Sequence, residues 1–331
     1  MIAKRQNSPK VQNSTKQTEA IIEVKDLVKH YGKLVAVDHL DLRIMKGEIY
    51  ALLGPNGSGK TTTINSILSL LSYEQGDISI LGTPMRPDSY EIKRQIGVVP
   101  QTISVFEELN VEQNIGFFCG LYIDDRKQRK QLVEEAIEFV GLAEHRKFLP
   151  AQLSGGLKRR LNIACGMAHR PGILFLDEPT VAVDPQSRNK ILENVKELNK
   201  QGVTIVYTTH YMEEVEELCD RVGIMDQGRM IAEGSTDEVK EMIDMTEIIR
   251  IELLQPEQHP DLTRLSGMPG VLTARVDDSD LVIEMGRTSK TLLDVLQTVE
   301  ESSIPYGQVY CARPTLNTVF LEITGKALRD S

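Results

Sequence analysis

A chain of 331 residues that is 40% hydrophobic and 26% charged is long enough to bury more than one core. Its formal net charge of −10 argues against a nucleic-acid-binding surface, and no nucleic-acid partner is expected. The four cysteines, Cys119, Cys165, Cys219 and Cys311, have no short paired spacing, which disfavours a metal site and reads as reduced packing residues in a cytosolic protein.

The opening residues carry charge but no apolar run. They read as a disordered polar tail over 1–20 and not as a secretory signal. No stretch reaches the roughly 18 apolar residues that a membrane-spanning helix needs. From Ile21, short β-rich runs follow: IIEV, IYALL, IGVVP, ILFL, VTIVYTT and VGIM. Several are continuously apolar, as in strands covered on both faces. Helical stripes lie between them, one of Leu132, Val133, Ala136, Ile137 and Val140, another of Ile191, Leu192, Val195 and Leu198. This alternation predicts an α/β core with a largely parallel sheet over 21–240. Between Gln101 and His169 the strands give way to helices, so 102–170 reads as a helical insertion.

A composition shift near Asp237–Thr246 opens a second region, 246–325. Its expected order is strand Ile248–Leu254, helix near Leu262, strands Val271–Val276 and Leu281–Met285, helix Ser289–Glu300, strand Gln308–Ala312 and helix Leu316–Thr324. A βαββαβ order predicts a small ferredoxin-like α+β sandwich.

The residues Gly54, Pro55, Asn56, Gly57, Ser58, Gly59, Lys60 and Thr61, followed by Thr62, fit G-x-x-x-x-G-K-[ST] between a strand and a helix. Glycines let the backbone close on phosphates with its N–H groups turned inward, and the helix N-terminus adds its dipole. Lys60 supplies a mobile cation, and the Thr61 hydroxyl is a ligand for Mg²⁺. The chain therefore holds a nucleoside triphosphate, and the absence of an internal repeat gives one such site per chain.

The run ILFLDEPT ends a buried strand on Asp177 and Glu178. A carboxylate at that strand end suits Mg²⁺ held beside the phosphate loop, and Glu178 suits a general base for water. Ser154 is placed to cap a helix begun by Gly155 and Gly156, whose exposed N–H groups form a second anion-binding surface. One phosphate loop and two such surfaces invite use of the second on a partner's nucleotide.

In order and spacing, GPNGSGKTT, Gln101, LSGG, LFLDEP and TTH resemble an ABC-type ATPase, the ATP-binding subunit of a bacterial ABC transporter. The resemblance covers 21–240. It implies a P-loop NTPase cassette with a RecA-like α/β core, a β-subdomain and a helical subdomain, and two cassettes sandwiching two ATP molecules. It further implies that Tyr31 stacks on adenine, that Gln101 senses Mg²⁺ and the γ-phosphate, and that His210 contacts the γ-phosphate. Ser154, Gly155, Gly156 and Asp184 would act in trans, from a second copy or a paralogous cassette. Two departures, Leu157 where many members have Gln and the loop VAVDP where Ser-Gly-Leu-Asp is common, touch the dimer seam and imply a differently tuned closure.

The stretches FEELNVEQNIGFFCGLY, LDEPTVAVDPQSR and PTLNTVFLEITGK resemble the two-component export subfamily of drug, antibiotic, sodium and polysaccharide exporters. That implies a cytoplasmic subunit held at the inner face of the membrane by a separate permease, contacted near Phe106–Leu121. A soluble ABC ATPase acting on ribosomes, nucleic acid or a cofactor assembly is the alternative. Because every nucleotide motif precedes Gly234, removal of 246–331 is expected to leave an ATP-binding cassette.

Overall fold

The computed structural model describes residues 19–255, 261–286 and 290–324. The polar tail up to residue 18, Ser289 and the Gly325–Lys326 end of the last resemblance lie outside these residues. The chain opens with β1 (Ala20–Tyr31), β2 (Leu34–Met45), β3 (Ile49–Leu53), α1 (Lys60–Ile67), β4 (Gln75–Ile80), β5 (Thr83–Pro84), α2 (Tyr90–Lys93) and β6 (Ile96–Val99). A helical block follows, α3 (Val111–Gly120), α4 (Arg126–Phe139) and α5 (Gly155–Met167). Then come β7 (Ile173–Asp177), α6 (Pro185–Lys200), β8 (Thr204–Thr209), α7 (Met212–Leu218), β9 (Arg221–Asp226), β10 (Arg229–Ser235) and α8 (Thr236–Lys240). The last stretch is β11 (Met245–Leu253), α9 (Thr263–Ser266), β12 (Val271–Asp277), β13 (Asp280–Gly286), α10 (Leu292–Glu301), β14 (Tyr306–Ala312) and α11 (Leu316–Thr324).

The central sheet runs β10-β9-β3-β8-β7-β6, parallel except for the β10 hairpin. Its inner strands β3, β7 and β8 are buried throughout because each face meets a different core, and successive side chains alternate between faces. Tyr50, Leu52, Phe175 and Val206 join α1 and the antiparallel sheet on one side. Leu174, Leu176, Ile205 and Tyr207 pack with Ile191, Leu192, Val195 and Leu198 of α6 on the other.

The second sheet, β2-β1-β4-β5, is antiparallel. In the sequence IIEV is a β-rich run assigned to no sheet, and the structure places it here. Ile22, Val24 and Leu27 of β1 are buried, whereas Lys25 and Asp26 are exposed, so this is a half-covered strand that pairs with β2 and β4.

The helical block encloses its own core, in which Val111, Ile115 and Cys119 of α3 meet Leu132, Val133, Ala136 and Ile137 of α4 and Leu161, Ala164 and Cys165 of α5. Burial pushes the Cys165 thiol up, out of reach of ionisation at neutral pH. Cys311 contradicts its assignment to packing: it lies exposed on β14.

The C-terminal sheet has the order β12-β13-β11-β14, antiparallel throughout, with α9 and α10 on one face. Connection and strand order are those of a ferredoxin-like sandwich. Ile249, Ile251 and Leu253 point at Val295 and Val299 of α10 through the two-residue period of β11. The last helix does not join this core. Leu316, Val319 and Phe320 of α11 are buried against Ala51 and Leu53 of β3, Met212 and Val215 of α7, and Val222 and Ile224 of β9. Among the described residues, no helix is long and apolar enough to cross a membrane.

Candidate nucleotide-binding site

Parallel pairing aligns the C-terminal ends of neighbouring strands. Leu53 of β3 pairs with Thr209 of β8, and Thr208 pairs with Asp177 of β7. The loops leaving those ends, 54–59, 178–184 and 210–211, therefore meet in one place, as open α/β sheets dictate.

The first loop is shaped by close approach. Gly59 has a φ of +106°, and a Cβ there would stand 2.5 Å from the carbonyl oxygen of Ala36. Lys60 is buried and curls back over the loop, its Nζ donating to the carbonyl oxygens of Gly54 at 2.7 Å and Pro55 at 3.2 Å. The same Nζ stands 3.2 Å from Glu178 Oε1. Ser58 Oγ is buried with no hydrogen-bond partner among the described residues. A buried hydroxyl without a partner costs free energy unless something polar meets it, which fits an oxyanion ligand.

Thr61 Oγ1 donates to Asp177 Oδ2 at 2.9 Å, and Thr208 Oγ1 donates to Asp177 Oδ1 at 2.5 Å. An alcohol and a carboxylate on adjacent oxygens are the donor set a hard divalent cation takes beside phosphates. Glu178 is almost fully buried and holds a φ of +48°, costly for a residue with a Cβ. Its backbone N–H is tied to Thr208 Oγ1 at 2.9 Å. Its Oε2 lies 2.9 Å from His210 Nδ1, so Lys60, Glu178 and His210 form one connected row.

Ser58, Gly59, Lys60, Thr61 and Glu178 border an open cavity of about 720 Å³ whose lining also includes Tyr31, Asn56, Gly57, Thr62 and Gln101, while Asp177 and His210 stand behind it. Tyr31, at the end of β1, is half exposed at its rim, with Lys29 Nζ 5.5 Å from the ring centre. Such a ring, open on a face, suits stacking of a base.

Ser154 and Asp184 are elsewhere. They line a separate recess of about 570 Å³ with Leu157 and Arg160, and this recess shares no lining residue with the first. Ser154 caps α5, accepting from Leu157 N–H at 3.3 Å, and Asp184 caps α6, accepting from Ser187 N–H at 2.9 Å. That backbone bond holds the Asp184 carboxyl below the usual carboxylate range. A Cβ on Gly156 would collide with the Ser187 side chain and reach 2.9 Å from Asp184 Oδ2, so α5 and α6 start in contact.

Sequence reasoning missed the residues that hold Gln101. Arg159, buried in α5, donates to the carbonyl oxygens of Pro100 at 3.1 Å and Gln101 at 2.8 Å. Asn162, one turn on, donates to Pro100 O at 3.3 Å and accepts from Ser104 N–H at 3.1 Å. Helical position was the available signal: Arg159 and Asn162 share a face of α5 with buried neighbours, where a solvated basic run would not sit. Thr208, which anchors both Asp177 and Glu178, carried no signal beyond its place in TTH.

Comparison with known proteins follows the same lines. A family model described as "ABC transporter" matches residues 37–181. The Linearmycin resistance ATP-binding protein LnrL of Bacillus subtilis is 37% identical over 312 residues, 94% of this chain and 100% of the relative. The Nod factor export ATP-binding protein I of Ralstonia nicotianae is 32% identical over 312 residues, 94% of this chain and 95% of the relative. Among solved structures, a dimeric ATP-binding cassette in a post-hydrolysis state bound to ADP and Pi superposes with a TM-score of 0.60 at 27% identity, covering 65% of this chain and 98% of that one.

Proposed function

The chain belongs to the ATP-binding proteins of the ABC transporter family, and from that premise we propose that it hydrolyses ATP to energise export through a separate membrane-spanning permease. The observation that carries the reading is the presence on one chain of two half-sites that do not meet: the cavity of Tyr31, Lys60 and Glu178, and the recess of Ser154 and Asp184. Each is completed when a second copy, or a paralogous cassette, presents its recess to the other's cavity.

In this reading Tyr31 stacks on adenine, the 54–62 backbone and Lys60 hold the phosphates, and Ser58 Oγ finds its partner there. Thr61, Asp177 and Gln101 would hold Mg²⁺, which neutralises charge on the β- and γ-phosphates. Glu178 takes a proton from the attacking water, and His210 holds the γ-phosphate while keeping Glu178 oriented. Lys60→Ala tests the assignment. ATP affinity should fall about tenfold or more and turnover should vanish, because a charge-assisted contact in a desolvated cradle is lost. Near-normal ATPase activity would refute it.

Export is supported by the named relatives, which are resistance and export ATP-binding proteins. It is also supported by a surface. Phe106, Phe117 and Leu121 are exposed on the helical block, with the Phe106 and Phe117 rings packed edge-to-face at 4.7 Å. Buried Asn114 fixes the turn that carries Phe106, donating to Phe106 O and Leu109 O and accepting from Phe106 N–H. This patch follows Gln101 in the chain and is the proposed contact with the permease, on the cytoplasmic side of the membrane. Phe117→Asp should abolish co-purification of the permease, since an unpaired charge buried at an interface costs several kcal/mol. ATP binding should persist. A variant that still captures the permease would show the contact to be misplaced, and recovery of ribosomes or nucleic acid with the wild type would favour a soluble role.

A further inference from the structure

Glu214, in α7, is completely buried. Its Oε2 accepts hydrogen bonds from Tyr207 Oη at 2.8 Å and Thr209 Oγ1 at 3.1 Å. Its Oε1 stands 2.7 Å from Arg188 Nε. Tyr211 N–H donates to Thr209 Oγ1 at 3.0 Å. The Arg188 guanidinium lies 5.0 Å from the centre of the Tyr211 ring, and that ring centre is 4.1 Å from the centre of the His210 ring. Both neighbours of His210 are thus fastened, directly or through Arg188, to one carboxylate.

Arg188 has a second attachment. It lies in the first turn of α6, where its N–H donates to Asp184 O at 2.9 Å. Arg188 thus ties the start of α6 to loop 181–184 through its backbone and reaches His210 through its guanidinium and the Tyr211 ring. A buried carboxylate is expensive, and a well-packed apolar group would serve stability as well or better. A guanidinium offers what an apolar group does not: a charged nitrogen beside the carboxylate and, in the same group, a flat cation over the aromatic ring.

We propose that Arg188 and Glu214 are a positioning pair that aims His210, through Tyr211 and Thr209, at the site of hydrolysis. This rests on the reading of His210 as a γ-phosphate contact. Neither residue touches nucleotide; the pair acts on turnover through His210.

The test uses the full chain with Arg188→Gln, Arg188→Lys, the double variant Arg188→Gln/Glu214→Gln, and His210→Ala. Steady-state ATPase kinetics, ATP affinity and melting temperature are measured on each. Arg188→Gln should lower kcat about tenfold or more while KM stays within about twofold, because a misaimed group near the chemistry costs rate before binding. Arg188→Lys, which keeps the charge without the planar guanidinium over Tyr211, should fall between. In the double variant the buried charge is removed with its partner, so the melting temperature should return to that of the wild type while kcat stays low. Recovery of kcat together with melting temperature would overturn the proposal, leaving a stabilising pair only. Normal kcat in Arg188→Gln with an inactive His210→Ala would also overturn it and leave the His210 reading intact. Normal turnover in His210→Ala would overturn both. If Arg188→Gln alone fails to fold, the double variant decides by the same criteria.

Discussion

Glu178→Gln is expected to lower kcat for ATP by at least about a hundredfold, the range a lost general base spans, while ATP affinity holds or rises. The geometry sets both signs. The amide fills the same buried space and keeps an oxygen toward His210, so the fold and the site outline survive. What disappears is a basic oxygen and a negative charge 3.2 Å from Lys60 Nζ. A phosphate entering the loop has to share Lys60 with that carboxylate, so removing the charge frees the cation for the ligand. Turnover stops at the step that needs a base, and the ATP-bound dimer should accumulate. Size exclusion with and without Mg-ATP, on the chain alone and with its permease, reads this directly. A variant that hydrolyses ATP at a normal rate removes Glu178 from the mechanism, and one that stays monomeric in both preparations counts against the paired half-sites. The left-handed backbone of Glu178 gives a second control. Glu178→Gly relieves the backbone cost but deletes the side chain, so any gain in stability there should come without activity.

What could be read from the sequence was what is local. The phosphate loop is one contiguous backbone shape, so its residues carry their geometry with them, and Gly59 marks a position that excludes a Cβ. The helices α4 and α6 announced their buried stripes because a 3.6-residue period needs no knowledge of the partner. The antiparallel strand β2 did not announce itself. Its run LVAVDHLDLRIM mixes charge with apolar residues, because its ladder with β1 is irregular and one side faces water. Contacts that join distant stretches were silent as well. Arg159 reaches the Gln101 carbonyl and Arg188 reaches Glu214, and nothing in either neighbourhood names the other end. Helix α11 shows the boundary most sharply. Its limits, Leu316–Thr324, follow from its pattern, yet an apolar stripe says that a face is covered and not by what.

That covering decides the last prediction. From the sequence alone, cutting the chain before residue 246 leaves an ATP-binding cassette, since all the nucleotide motifs remain. The cut also removes α11, and with it Leu316, Val319 and Phe320 from a core shared with Ala51 and Leu53, the strand residues that lead directly into Gly54. It leaves Glu216 without the Leu316 N–H that its Oε1 accepts at 2.7 Å. Phe320→Ala alone should cost about 3–5 kcal/mol in equilibrium denaturation, a large share of the roughly 5–15 kcal/mol that holds a typical domain. The full truncation should be worse: poorly soluble, with a much lower melting temperature, and weak in ATP binding because the core beside β3 and α7 is opened. A different deletion separates this from loss of the sandwich. Ile248 pairs with Ala312 across β11 and β14, so an Asn-Gly turn joining those two residues closes a short hairpin and returns the chain to α11. That variant lacks the sandwich core but keeps the helix, and it should melt near the full chain and bind ATP. If the truncation lacking 246–331 melts and binds ATP like the full chain, α11 is a passenger on the cassette. If both deletions collapse alike, the sandwich itself supports the cassette, and the helix is only part of that support.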